Sequence, residues 1–250
     1  MAIRVVDISK HNGAINWASL KNEGVVGVII RAGYGLTKDP MWETNYSGAI
    51  SNGLLVGAYW FAYPLSVAGA QNEADMMWGF VKGKNLKLGA WYDYEYDSSA
   101  YLKKNGITET RELVTSLIKA FCARMTTRGV NCGLYLNRDY IQNHLNYAEL
   151  KQYPLWQAAW VTSGYTQFSS VSESKKPTTY GNIAAWQFGK SYIGGKAFDV
   201  NYYYGATGAE PTDYATLVCK KAGLEQQTRD FINTYKWAGF LWEKLWKAMS

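Results

Sequence analysis

In Leu88-Gly-Ala-Trp-Tyr-Asp-Tyr-Glu-Tyr-Asp97, two carboxylates stand two residues apart at the end of an apolar run. Side chains alternate faces along a strand, so Asp93 and Glu95 are expected side by side, with Tyr94 on the other face. Adjacent carboxylates repel each other, which tends to leave one protonated near neutral pH. A protonated acid beside an ionised partner is what cleavage of a glycosidic bond requires. Two more acids lie inside apolar runs: Asp7 ends Ile3 to Ile8, and Asp199 sits in Ala197-Phe-Asp-Val-Asn-Tyr-Tyr203. Each alone reads equally well as a helix cap or a surface charge. Together they are harder to dismiss, because burying an unpaired carboxylate is costly.

The elements that must carry these acids alternate in type. Strands are expected at Ile3 to Ile8, Val25 to Ala32, Leu54 to Tyr63, Leu88 to Glu95 and Val130 to Leu136. Helical patterns fall at Trp17 to Glu23, Pro40 to Asn52, Val67 to Val81, Thr108 to Arg128 and Arg138 to Lys151, with Thr108 as an N-cap and Gly129 as a stop. Pro154 to Val161, Asn182 to Phe188 and Lys196 to Tyr203 also read as strands, but polar loops replace the helices between them. Repeated β-α units argue for a parallel sheet, and eight strands for its closure. The expected fold class is α/β: an incomplete β/α barrel of eight strands and about five helices over residues 1–207, followed by a small helical module over 208–250. In such a barrel, chemistry sits at the C-terminal strand ends, and closure sets the last strand beside the first. Asp7 and Asp199 are then neighbours.

Composition narrows the partners. At 250 residues, with 48% hydrophobic and 18% charged residues, the chain is globular rather than disordered. Its 20 Tyr and 11 Trp against 8 Phe favour rings that carry a polar group, suited to sugar faces and also to packing. The net charge of +6 favours an anionic surface. No basic block or nucleic-acid signature is present, and a carboxylate cluster would repel phosphate, so nucleic acid is not an expected partner. Cys122, Cys132 and Cys219 have no metal-like spacing, and His11 and His144 are too few for a histidine zinc site; neither metal nor cofactor is expected. The N-terminus runs straight into a strand with no signal-peptide pattern, which points to synthesis in the cytoplasm.

The motifs resemble glycoside hydrolase family 25, the muramidases (lysozymes) of bacteria, fungi and many phages of Gram-positive bacteria. Val6-Asp-Ile-Ser-Lys-His-Asn-Gly13 with Trp17 is similar to that family's first strand. Gly57-Ala-Tyr-Trp-Phe-Ala-Tyr-Pro64 is similar to its third, with Trp60 where a His is common. Trp91-Tyr-Asp-Tyr-Glu95, Ala185-Trp-Gln-Phe188 and Phe198-Asp-Val-Asn-Tyr202 complete the ordered set, over residues 1 to about 205. The resemblance implies hydrolysis of the β-1,4 bond from N-acetylmuramic acid to N-acetylglucosamine in peptidoglycan. It implies Glu95 as general acid, Asp93 as assisting carboxylate, and Asp7 and Asp199 in support. Arg31, pairing with one of the acids, and Tyr63, Tyr135, Trp160, Trp186 and Gln187 would border the sugar. Two courses stay open: attack by the substrate's own acetamido oxygen with retention, or attack by activated water with inversion.

The resemblance also suggests a phage endolysin type that is released to a Gram-positive wall through a pore made by another protein. The rival reading is a glycan-binding module on a hydrolase-like barrel, which would have no need of a proton donor. For the tail, three roles fit: a wall-binding bundle, an extension docked on the barrel, or a membrane-active amphipathic helix. Trp237, Leu241, Leu245 and Met249 recur at i+4, with Phe240, Trp242 and Trp246 widening the stripe. Three consecutive helical patterns, at Asp213 to Ala222, Leu224 to Tyr235 and Lys236 to Met249, favour the bundle.

Overall fold

The computed structural model describes residues 2–181 and 183–205, and in the tail 218–219, 221–225, 228, 231–232, 241, 244–245 and 248–249. The chain divides into two compact units, Met1–Thr207 and Gly208–Ser250.

Eight strands close the barrel of the first unit: β1 (Ile3–Ile8), β2 (Gly27–Tyr34), β4 (Leu55–Phe61), β5 (Ala90–Asp93), β6 (Cys132–Asn137), β7 (Leu155–Ala158), β8 (Ile183–Ile193) and β9 (Lys196–Tyr203). A short β3 (Thr37–Lys38) hangs on β2, and β1 pairs with both β2 and β9 to complete the ring. The five α-helices described in this unit are α1 (Trp17–Asn22), α2 (Trp42–Ser51), α3 (Val67–Val81), α4 (Tyr96–Lys104) and α5 (Arg111–Thr127).

Three sequence expectations need correction. The sheet is not wholly parallel. β9 runs antiparallel to β8 and to β1, because Gly194 and Gly195, both at positive φ, turn the chain straight back as a hairpin. A helix at Tyr96–Lys104 went unforeseen, whereas Arg138 to Lys151 forms only a π turn at Tyr140–His144 and a 3-10 turn at Tyr147–Glu149. The N-cap of the long helix is Thr110, whose hydroxyl accepts from the Leu113 N–H, not Thr108. The rest of the helix-poor return matches expectation: among the described residues, only 3-10 turns connect β7 to β8, and a hairpin joins β8 to β9.

Strand alternation produces two cores. Outward residues such as Val28, Ile30, Trp60, Tyr92 and Phe188 pack against the helices or the loops that replace them. Inward residues from all around the ring, Val5, Ile29, Tyr59, Trp91, Tyr135, Trp156, Ala185 and Tyr203, fill the barrel itself. Trp156 meets Trp91, Tyr59 and Tyr135 edge-on, at centroid distances of 5.8, 6.1 and 4.6 Å. Room for Trp91 depends on Gly133, where an added Cβ would lie 2.4 Å from the indole ring. The aromatic plug makes a rigid floor at the level below the strand ends.

In the tail unit, Val218 is buried against Cys219, Ile232, Leu245 and Met249. Lys221 Nζ donates to the Met249 carbonyl, and Gly223 has a positive φ, as a helix stop requires. Leu241 is exposed, and Trp237, Phe240, Trp242 and Trp246 of the expected stripe lie outside the described residues.

Candidate active site

The strands deliver inward side chains to a mouth at their C-terminal ends, where a pocket of about 370 Å³ opens. Asp7, Asp93, Glu95 and Asp199 all line it, with Arg31, Tyr135 and Gln187. Asp7 and Asp199 are register partners across the β1–β9 pair, so closure sets them side by side. β5 ends at Asp93, and Glu95 lies beyond it as the N-cap of α4. Its backbone is nevertheless extended (φ −137°, ψ −173°), which preserves the alternation and keeps both carboxyls on the pocket side. The Ser98 hydroxyl accepts a hydrogen bond from the Glu95 N–H and helps fix this corner.

The four carboxyls are held very differently. Asp7 Oδ2 accepts from Asn201 Nδ2 at 2.8 Å and from Gln187 Nε2 at 3.0 Å. Asn201 Oδ1 in turn accepts from Trp156 Nε1 at 2.8 Å, and Gln187 Oε1 from Tyr135 Oη at 2.9 Å and Trp160 Nε1 at 2.8 Å. Even so, burial and the charge of Asp199 push Asp7 up to about 8, against the pull of its two donors. Asp93 is only 5% exposed, and its Oδ1 has no hydrogen-bond partner. Burial, then repulsion from Glu95 and a hydrogen bond to it, hold the Asp93 proton well above the carboxylate range, while Arg31 opposes this. Burial also raises Glu95, the less enclosed of the two, although its contact with Asp93 acts in the other direction. Two carboxyls in hydrogen-bond contact need a proton between them, so the pair titrates as a unit. Asp199 is raised by burial and pulled back by Lys190 at the rim.

Four expected positions differ. Arg31 makes its ion pair with buried Asp39, Nε to Oδ2 at 2.7 Å, not with an acid of the pocket; it acts on Asp93 through space. One of its nitrogens, NH2, is buried without a partner. Tyr63 lines a neighbouring groove of about 680 Å³, because two residues past the end of β4 the chain has left the barrel mouth. Trp186 faces outward, as the residue before inward Gln187 must, and packs on Phe188 and Tyr202 with its N–H on the Ala159 carbonyl. Trp160, outside the pocket lining, braces Gln187 and carries Lys190 over its ring at 5.1 Å.

Sequence reasoning missed Tyr59, Phe61, Trp156, Lys190 and, as a ligand of Asp7, Asn201. The signal was there for two of them. Phe61 lies two residues after Tyr59, and Asn201 two after Asp199, so each shares an inward face with its neighbour. Lys190 had no such signal, since it depends on the bulge between Gln187 and Gly189.

A sequence model of the glycosyl hydrolases family 25 matches residues 6–195. Lysozyme M1 of Streptomyces globisporus is 28% identical over 208 residues, 80% of this chain and 66% of that protein. The autolytic lysozyme of Clostridium acetobutylicum is 24% identical over 159 residues, 63% of this chain and 45% of its own length. The chain thus spans under two thirds of these two relatives. In fold it is similar to the modular autolysin LytC of Streptococcus pneumoniae, solved with a synthetic peptidoglycan ligand. That likeness has a TM-score of 0.65 at 24% identity and covers 81% of this chain and 47% of the other. With the strand-end acids, the closing hairpin and a family match over most of its length, this chain belongs to glycosyl hydrolase family 25.

Proposed function

We propose that this protein is a lysozyme of the endolysin type. It hydrolyses the β-1,4 bond between N-acetylmuramic acid and N-acetylglucosamine in peptidoglycan, with Glu95 as proton donor. The observation that carries this reading is the placement of Asp93 and Glu95 in one strand-end pocket with two further acids, Asp7 and Asp199. The named relatives, both lysozymes, support the substrate class.

The nearness of the two carboxyls in the pocket supports one course over the other. Inversion needs carboxyls about 6.5–9.5 Å apart, with room for a water. Asp93 and Glu95 line the same pocket and act on each other's protonation, which supports assistance by the substrate instead. An acetamide N–H from the muramic unit donates to Asp93. That bond, with Arg31 nearby, favours ionised Asp93 and leaves the shared proton on Glu95. Glu95 gives it to the leaving oxygen as the acetamido oxygen closes on the anomeric carbon and the glycosidic bond breaks. Ionised Glu95 then takes a proton from water, which opens the ring with configuration retained. Asp7, pushed up to about 8, carries little charge near neutral pH, so with Asp199 it serves to support the site and bind the sugar.

The expected setting is a Gram-positive wall, reached after release from the cytoplasm. We assign wall binding to residues 208–250. Clearing of purified Gram-positive walls, with analysis of the new reducing ends, tests the reading. Muramic-acid ends support it, and glucosamine ends or no new ends overturn it. Loss of residues 208–250 should lower binding to intact walls more than hydrolysis of soluble fragments; equal binding removes the targeting role.

A further inference from the structure

The β8–β9 hairpin continues past the pocket, and its mouth-facing side does not end at the acids. Register aligns Asp7 with Asp199, Asp199 with Lys190, and Lys190 with Tyr165 through an isolated parallel bridge. These four residues form one row across neighbouring chains, three of them lining the pocket. Tyr192 lies two residues beyond Lys190 on the same strand face and opposite Ala197, itself a pocket residue. Tyr165 and Tyr192 stand 62% and 65% exposed, yet their rings meet edge-on at 5.8 Å. The Thr166 N–H donates to the Lys190 carbonyl and ties the Tyr165 segment to the hairpin.

Two large rings held together in water bury little of their own surface, so their apolar faces are available to a partner. We propose that Tyr165 and Tyr192 form an outer subsite. It stacks a pyranose ring of the same glycan strand whose scissile bond lies at the acids. The inference rests on the glycan-cleaving reading above and extends it to chain length. Continuity selects this occupant. Tyr165 lies two strand spacings, about 10 Å, from Asp199 along the row, a span that a polymer crossing the mouth covers within a few sugar units.

The test compares the full chain with its Tyr165→Ala/Tyr192→Ala and Tyr165→Phe/Tyr192→Phe variants, on peptide-free glycan strands and on the shortest fragment that is cleaved. The alanine pair should raise KM on long strands about tenfold, with kcat unchanged. The phenylalanine pair should behave like the parent, because stacking needs the ring and not the hydroxyl. KM on the shortest fragment should not move. Equal losses on short and long substrates, or none on either, overturn the subsite, as does a loss confined to strands that carry stem peptides. Calorimetric binding of long strands in a Glu95→Gln background separates this from failure of the catalytic reading. Binding weakened by the alanine pair supports the subsite whichever bond is cut, and unchanged binding rejects it.

Discussion

Asp7 and Asp93 are both carboxyls at the barrel mouth, but one is wired and the other is not. Asp7 sits at the centre of a network drawn from the helix-poor half, with Asn201 on β9 and Gln187 on β8 donating to one oxygen. Asp93, from the regular β/α half, leaves an oxygen unpartnered and meets a second acid instead. A buried polar atom without a partner costs stability, and under the reading proposed above the substrate would complete the bonding here. The helix-poor half therefore builds a fixed frame, and the β/α half keeps the reactive pair unsatisfied.

The difference is most exposed by Glu95→Gln. Removing the proposed proton donor should lower kcat on soluble fragments about 10²–10⁴-fold while wall binding and fold persist. Thermal stability should rise, because a neutral amide relieves the repulsion with Asp93 that the parent carries. A variant that still clears walls at the parent rate would take Glu95 out of the reaction. Gln187→Leu should do the reverse. It strands the Tyr135 hydroxyl and the Trp160 indole and takes a donor from Asp7, at a cost of about 1–3 kcal/mol in unfolding free energy. Denaturant titration measures that loss, and an unchanged midpoint would mean that the network is not a frame.

Much of this contrast was visible before the structure. The β/α half was legible because buried strands and helix caps repeat there, and both Asp93 and Glu95 end a run of that rhythm. The paired facing of Asp7 and Asp199 followed from ring closure, although the antiparallel sense of β9 did not. Periodicity carries no strand direction, and only the Gly194–Gly195 turn reveals it. Helix α4 escaped notice because Tyr96–Lys104 is polar and follows β5 almost directly. Trp186 was misread because motif proximity to Gln187 outweighed alternation, which sends neighbours to opposite faces. Tyr63 and Arg31 were misplaced for a different reason. Their partners, Tyr101 and Asp39, are set by tertiary packing that no local spacing encodes.

Glu73 separates burial from repulsion. It is buried outside the pocket, accepts from the Tyr92 hydroxyl at 2.7 Å and the Tyr63 N–H at 2.9 Å, and has no acid among the causes of its shift. Burial alone still raises it from 4.5 to about 8. The folded state then holds a proton that the unfolded chain has lost, so stability is full below pH 4.5 and declines as pH rises to about 8. Glu73→Gln should flatten that part of the melting-temperature profile. If the slope is unchanged, the decline belongs to Asp7 and the Asp93–Glu95 pair.

The smallest effect should come from an acid on the protein surface. Asp75 on α3 pairs with Arg124 at 2.7 Å and Arg128 at 3.0 Å near the end of α5, and both cations lower its proton affinity. Its sign is opposite to that of Glu73: the contribution is present above the unfolded pKa and is lost as pH falls through the lowered value. All three side chains are about a third or more exposed, so water screens the pair, and Asp75→Asn should cost less than about 1 kcal/mol. Salt should erase even that, and wall clearing should not change. A larger loss would mean that the α3–α5 contact is held by charge as well as by its packed apolar face. Exposed carboxylates would then have to join the buried ones in any account of how this barrel keeps its mouth open.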